Sequence, residues 1–305
     1  MCDSLKISPY REVFPEILKK IEEYDSIIVI RHIIPDGDAL GSQFGLKRFI
    51  EENYPNKKVY APGEAASVYR LDFFPLPDEI KDELYNTSLV IIVDVAVSFL
   101  ISGDWKYIKD HSPDIIRIDH HPFEERLAKI ECIDKAAPAT TQVIGEFIAF
   151  TGKKLEKDAA QYLMAGLVTD TAGLNYGFIT GKTFSVLNLF NEAGASYEEA
   201  TKNYFQYNEQ EMDLRAYTIE NTKISDSGNL AFSEIPAEVL SKYSDFNLNT
   251  GAYYLINSFV NSYKAKVWLL IVSDGKTDYI KCEIRAIESI DVSEVAMKYG
   301  GGGHS

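Results

Sequence analysis

At three places in the first 121 residues, acidic and imidazole side chains stand directly behind a short apolar run. Ser26–Ile30 leads to His32 and then to Asp36 and Asp38. Leu89–Val93 leads to Asp94, and residues 115–118 lead to Asp119, His120 and His121. Carboxylate oxygens and imidazole nitrogens are the donors that hard and borderline divalent cations take. Three titratable residues in a row behind a buried strand are costly unless they are paired or bind a metal. The donors are numerous enough for a centre of two ions.

Those donors need a scaffold, and the apolar runs supply one. Short stretches rich in Ile and Val, spaced widely enough for a helix between them, read as buried parallel strands. In an open α/β sheet, ligands bind outside the carboxyl ends of the strands. His32, Asp36, Asp38, Asp94 and His120 therefore come to one edge of one sheet. Helical spacing is expected over residues 12–24, 45–53, 141–150 and 158–168, with a short strand at 58–61. Asp170 follows the last of these helices, between Thr169 and Thr171. The fold class is α/β: a doubly wound, mostly parallel sheet, with a smaller carboxy-terminal α+β domain.

The character changes after about residue 185. Residues 1–190 form the expected catalytic domain, 191–223 a polar helical connector, and 224–305 the second domain. In that last part a strand is expected at 230–235 and a helical stretch at 253–263. Strands at 266–272 and 279–285 flank Asp274 and Gly275, a hairpin signal. A short helix at 292–299, with Asp291 and Glu294 placed as a variant capping box, runs into Gly300, Gly301, Gly302, Gly303 and His304.

Composition narrows the partners. At 305 residues the chain is long enough for two domains. With 46% hydrophobic and 25% charged residues it has the balance of a soluble globular protein. No apolar stretch approaches the roughly 18 residues of a membrane span, and the amino terminus lacks the layout of a signal peptide. Cys2, Cys132 and Cys282 are far apart and have no CxxC spacing, which argues against a disulfide framework or a thiolate zinc site. A cytoplasmic location is expected. The net charge of −15, with no basic stripe, argues against long nucleic acid as a partner. An anionic substrate must be small, with bound cations supplying local positive charge.

Each signal has a bland counterpart. Asp36-Gly37-Asp38 alone is an ordinary turn sequence. A calcium EF-hand loop fails, because its fifth and twelfth positions would be Leu40 and Lys47. Gly41 and Ser42 could offer backbone N–H groups to an anion at a helix start. Asp94 could cap a helix, His121 could be a structural histidine, and Asp170 could cap the segment after it. What outweighs these readings is their coincidence at corresponding ends of one sheet.

The segments HIIPDGDALGS, VD, DHH and TDT, in that order, resemble the four motifs of the DHH phosphoesterase superfamily. The carboxy-terminal Arg285 and VSEVAMKYGGGGH resemble its DHHA1 substrate-binding domain. Within the superfamily the chain is most similar to the nanoRNase/pAp phosphatase group. The resemblance implies a dinuclear centre, usually manganese. It assigns His32, Asp36 and Asp94 to one ion, and Asp38, Asp94, His120 and Asp170 to the other, with Asp94 bridging. His121 matches a residue near the substrate phosphate, and Asp119 one that orients the histidines. Arg285, Gly301, Gly302, Gly303 and His304 match residues that hold the far part of the substrate. One departure is Asn175, where relatives often carry a basic residue.

The resulting expectation is a metal-dependent phosphohydrolase with its site in the cleft between two domains. Two divalent ions about 3.5–4 Å apart would activate a hydroxide and stabilise attacking and leaving oxygens. Substrates would be short oligoribonucleotides or 3′-phosphoadenosine 5′-phosphate. An alternative is a phosphodiesterase of cyclic dinucleotides or their linear products. An inorganic pyrophosphatase fits less well because of the GGGH segment. Outside the enzymes, a nucleotide-binding sensor that has lost catalysis has little need for the full ligand set. Oligomeric state is left open, a homodimer included.

Overall fold

The structure, a computed structural model, describes residues 12–65, 71–122, 125–175, 178–243, 251–252, 255–260, 263–273, 275–276, 280–287 and 289–301. The chain divides into two compact units, Met1–Phe205 and Gln206–Ser305. The division falls inside the stretch expected as a connector.

The first unit is built on a five-stranded sheet: β1 (Ser26–Ile30), β2 (Lys58–Tyr60), β3 (Leu89–Val93), β4 (Asp114–Asp119) and β5 (Ile130–Ile133), in the order β2-β1-β3-β4-β5. Every pairing is parallel. All five residues of β3 are buried, which is why it reads as an unbroken apolar run rather than an alternating one. Parallel neighbours need crossovers. Here α2 (Gly37–Asn53) joins β1 to β2, and α3 (Trp105–His111) lies between β3 and β4. From β1 the chain first builds outward to β2 and then returns to β3 on the other side. Strand order therefore reverses between β1 and β3, where Ile30 pairs Ile92. That is where an open sheet leaves a crevice at its carboxyl edge.

The helix α1 (Phe14–Glu23) buries Phe14, Ile17 and Ile21 at helical spacing, and Phe14 packs edge-on against Phe147, ring centroids 5.5 Å apart. Phe147 belongs to α4 (Thr140–Thr151), which is followed by α5 (Lys157–Asp170), α6 (Gly181–Glu192) and α7 (Tyr197–Tyr204).

Two of the helix boundaries that differ from the sequence reading concern the site. Helix α2 begins at Gly37 rather than after the Asp-Gly-Asp triplet, because Asp36 acts as its N-cap and accepts the Ala39 N–H at 3.0 Å. Helix α5 runs through Asp170 instead of stopping at 168, so Asp170 is its last residue rather than a cap for the segment beyond.

Helices α2 and α5 are in unusually close contact. Gly37, Gly41 and Gly45 recur every fourth residue, so they form one stripe on α2. A Cβ on Gly37 would lie 2.3 Å from Thr169 Oγ1, one on Gly41 2.6 Å from the Tyr162 carbonyl oxygen, and one on Gly45 2.6 Å from Leu163 Cγ. Only the missing side chains allow this approach. It brings the start of α2 alongside the end of α5.

The second unit carries α8 (Glu209–Glu220) and a four-stranded sheet of β6 (Lys223–Ile224), β7 (Leu230–Ile235), β8 (Val267–Ser273) and β9 (Ile280–Ala286). Asn208 and Glu211 form a reciprocal capping box at the start of α8. Only the β7–β8 pairing is parallel, so the sheet is mixed. Trp268, Leu270 and Val272 are buried at period two, as in a sheet covered on one face. The expected pairing of β8 with β9 is present, and Gly275 after β8 has φ 63°. Asp274, and part of the helical stretch expected at 253–263, lie outside the described residues.

The last helix spans Ser293–Lys298 and has no capping box. Asp291 instead accepts from the backbone N–H and hydroxyl of Ser293, at 2.8 and 2.6 Å, and Glu294 takes no part in a cap. Among the described residues no helix is long and apolar enough to cross a membrane.

Candidate metal centre

Strand ends and helix ends meet at one place in the first unit. His32 follows β1, where it bridges Ile101 while the Ile33 N–H donates to the Leu100 carbonyl at 2.8 Å. Asp36 and Asp38 open α2, Asp94 follows β3, His120 and His121 follow β4, and Asp170 closes α5. The Asp94 N–H donates to Ile118 O at 3.1 Å, and its φ of 58° is left-handed. Aspartate tolerates that region better than most residues, but such a backbone still stores strain, typically at a site where the side chain must be aimed.

Three overlapping groups of donor atoms result, each with all its atoms within 4.8 Å of one another: His32, Asp36 and Asp94; Asp94, His120 and His121; and Asp38, His120 and Asp170. Asp94 belongs to two of them, and its oxygens face opposite ways. Oδ2 lies 3.6 Å from His32 Nε2, whereas Oδ1 lies 3.6 Å from both His120 Nε2 and His121 Nδ1. His120 Nε2 is also 3.3 Å from Asp170 Oδ2 and 3.9 Å from Asp38 Oδ2. His120 Nδ1 lies 3.1 Å from the Ala137 carbonyl, which can only accept. Nδ1 therefore carries a hydrogen, and Nε2 is the ring nitrogen directed at the carboxylates. A metal-ligating histidine has this arrangement.

Two residues absent from the sequence reading hold the carboxylates in place. The N-cap of α4 is Ala139, which has no side-chain acceptor for the first helical N–H groups. Asp38 supplies it from 102 residues away: Oδ2 accepts the Thr140 N–H at 2.6 Å, and Oδ1 accepts the Thr141 N–H at 3.1 Å and the Thr141 hydroxyl at 2.7 Å. The Thr140 hydroxyl donates to Asp94 Oδ1 at 2.9 Å. An apolar residue where a cap belongs, followed by two threonines, was the available signal.

The electrostatics show an excess of negative charge. Among the described residues, the ion-pair partners of Asp36, Asp38, Asp94 and Asp170 are histidines. Burial and the Asp94 charge push Asp38 up to about 7, and burial with the charges of Asp38, Asp36 and Asp94 drives Asp170 well above the ordinary range. Burial opposes charging His32, but Asp36 and Asp94 outweigh it and raise the ring to about 10. Repelling carboxylates interleaved with imidazoles, with no sulfur, suit a manganese-like divalent ion, which would supply the missing positive charge.

Asp119 sits just beneath. It is fully buried, and its Oδ1 accepts His121 Nδ1–H at 2.8 Å and the His120 N–H at 2.8 Å. Asn175 closes the loop after Asp170: its Nδ2 donates to the Ala172 carbonyl at 2.7 Å, within a left-handed run in which Ala172, Gly173 and Leu174 all have positive φ. His111 is remote in role, stacked on Tyr107 with ring centroids 3.9 Å apart.

In the second unit, Arg285 lies on β9 opposite Trp268 and donates to the Ile284 carbonyl at 3.0 Å. Gly301 completes a Schellman stop with Gly300: their N–H groups donate to Ala296 O at 2.9 Å and Met297 O at 3.1 Å. Gly302, Gly303 and His304 lie outside the described residues.

Residues 26–167 match the model of the DHH family, N-terminal domain. The chain is 31% identical over 291 residues to a probable bifunctional oligoribonuclease and PAP phosphatase NrnA of Streptococcus mutans, covering 95% of this chain and 91% of that one. It is 29% identical over 293 residues to the bifunctional oligoribonuclease and PAP phosphatase NrnA of Bacillus subtilis, covering 95% and 90%. Its fold is shared with an exopolyphosphatase-related protein of Bacteroides fragilis, at a TM-score of 0.85 and 21% identity over 96% of this chain and 89% of that one.

Proposed function

We propose a substrate and a chemistry from one premise: the chain belongs to the DHH family, in its NrnA-like group, and is a hydrolase of phosphoester bonds. The substrates are short oligoribonucleotides and 3′-phosphoadenosine 5′-phosphate, the activities that the names of its Streptococcus and Bacillus relatives carry. The cofactors are two divalent cations, manganese foremost. His32, Asp36 and Asp94 hold one, and Asp38, Asp94, His120 and Asp170 the other.

The observation that carries this reading is Asp94, whose two oxygens face separate donor groups from a strained backbone. A carboxylate so placed serves both groups at once. Bound there, the cations supply Lewis acidity and make water nucleophilic at neutral pH.

The protein's own part is positional. Thr140 and Thr141 fix Asp94 and Asp38, so the ligand oxygens need no reorganisation when a phosphate arrives. His120, held at Nδ1 by Ala137 O, keeps Nε2 aimed inward. His121, held at Nδ1 by Asp119, meets a phosphate oxygen of the substrate through Nε2. Arg285 and the terminal glycine and histidine residues contact the remoter nucleotide.

A product assay decides the matter. Dinucleotides, 3′-phosphoadenosine 5′-phosphate, cyclic dinucleotides and pyrophosphate are each incubated with manganese and with magnesium. Mononucleotide from the dinucleotides and AMP from the bisphosphate are expected, faster with manganese. Turnover of pyrophosphate or cyclic dinucleotides alone would overturn the substrate assignment.

A further inference from the structure

Arg117 occupies the middle of β4, in the sequence Ile115-Ile116-Arg117-Ile118, and has no solvent exposure. A guanidinium there is out of place on any pattern of apolar burial, and it is tolerated only if its donors are satisfied. Four of the five are hydrogen-bonded, and the fifth faces a carboxylate. NH1 donates to the Glu125 carbonyl at 2.9 Å and lies 3.7 Å from Glu131 Oε1, while NH2 reaches the Ala96 carbonyl at 3.3 Å. Nε donates to Asp119 Oδ2 at 3.1 Å, and NH2 donates to the same oxygen.

Arg117 and Asp119 are two residues apart on a strand, so their side chains share a face. The consequence is a division of the Asp119 carboxylate. Arg117 takes Oδ2 with two donors, and Oδ1 receives the His120 N–H, the His121 N–H at 3.2 Å and His121 Nδ1. With both oxygens held, the carboxylate plane cannot turn. An ionised carboxylate only accepts, so His121 Nδ1 must carry a hydrogen. A competing acceptor is close by, since Asp94 Oδ1 lies 3.6 Å from the same nitrogen. If Asp119 were released, the ring could swing toward Asp94.

We propose that Arg117 is a positioning residue: by pinning Asp119 Oδ2 it fixes the ring orientation of His121 and keeps its Nδ1–H on Asp119. Its effect on turnover rests on the assignment of His121 to the substrate phosphate, whereas the lock itself does not.

The test uses the full chain labelled with 15N-histidine and kept free of paramagnetic ions. His121 ring signals are identified by their loss in His121→Asn. Recorded at a pH high enough for the ring to be neutral, wild-type His121 should show a protonated Nδ1 and an unprotonated Nε2. In Arg117→Met that pattern should give way to averaged or mixed signals, with kcat on a dinucleotide at least tenfold lower in magnesium and KM within about twofold. A folded Arg117→Met with the wild-type His121 pattern overturns the proposal.

If that variant does not fold, Arg117→Lys decides alone. One ammonium cannot give Oδ2 two bonds and also reach Ala96 and Glu125, so mixed His121 signals are expected, and wild-type signals overturn the lock. Altered His121 signals with unchanged kcat would leave the lock standing and remove His121 from the substrate phosphate.

Discussion

The backbone of Asp94 works against its own stability: a left-handed φ of 58° on a non-glycine residue stores about 1–3 kcal/mol, and its buried charge raises Asp38 and Asp170. Asp94→Asn keeps the residue type that tolerates this conformation and removes the charge. It should lower turnover at least a thousandfold, the loss of several kcal/mol of cation-dependent stabilisation. The Tm in chelator should fall modestly, because against burial His32 and His121 hold the Asp94 carboxyl below its ordinary range. Thermal melts with and without manganese check both halves, because the variant should also lose the metal-dependent rise in Tm. Residual activity above about a tenth of wild type would remove Asp94 from the bridging role. Elsewhere the residue scale is ordinary electrostatics. Asp114 accepts the Tyr24 hydroxyl at 2.7 Å and pairs with Lys20 at 2.9 Å, and these partners outweigh burial and hold its carboxyl below the usual range. A depressed carboxylate contributes stability above its unfolded pKa of about 3.9 and loses it as pH falls through the folded value. Asp114→Asn should therefore melt about 1–2 °C below wild type at pH 7, with the gap closing below about pH 4. The candidate ligands were legible as residues because oxygen and nitrogen donors behind apolar runs need a reason to be there. Thr140, Thr141 and Arg117 were not, since each matters only through an acceptor that the fold brings to it.

At the scale of elements, close helix packing aligns the centre as much as the sheet does. Gly41 faces the Tyr162 carbonyl, so Gly41→Ala must push α2 away from α5, because the obstructing atom is backbone. Overpacking of this kind costs about 1–3 kcal/mol, a fall in Tm of about 2–8 °C. The same displacement moves Asp38 from Asp170, so activity should fall by more than the loss of folded protein explains. Gly181→Ala is the control: a Cβ there meets nothing within 4 Å, and Tm should hold or rise slightly. Differential scanning fluorimetry together with kcat in manganese separates the two. The parallel strands were readable in advance from their length and from Ile and Val content, and the crevice at their carboxyl edge follows from topology. The true start of α2 was not readable, because Asp-Gly-Asp has the composition of a turn and becomes a helix start only when Asp36 finds the Ala39 N–H. The fifth strand, Ile130–Ile133, was also missed: four residues interrupted by Glu131 give too short a signal.

For the molecule as a whole, a charge of −15 sets which substrates can approach. If no basic stripe offsets that charge, long polyanions would meet net repulsion and gain only the local attraction of bound cations. Activity should therefore peak at about two to five nucleotides and fall steeply for long single strands, for want of phosphate-neutralising groups. If Arg285 and the terminal segment hold the remoter nucleotide, Arg285→Ala should cut turnover of dinucleotides severely. A truncation after Gly301 should do the same, and it spares the two N–H groups that terminate the helix Ser293–Lys298. Minimal aryl phosphonate esters make no remote contacts, so both variants should process them at near the wild-type rate. That contrast is the informative measurement, since binding energy from a distant nucleotide can be spent at the reacting phosphate only by substrates that possess one. A length series on wild type and both variants, with the minimal ester as reference, resolves it. Equal losses on ester and dinucleotide would mean that the second unit supports the fold rather than the substrate, and undiminished cleavage of long strands would mean that the acidic surface does not set the length limit.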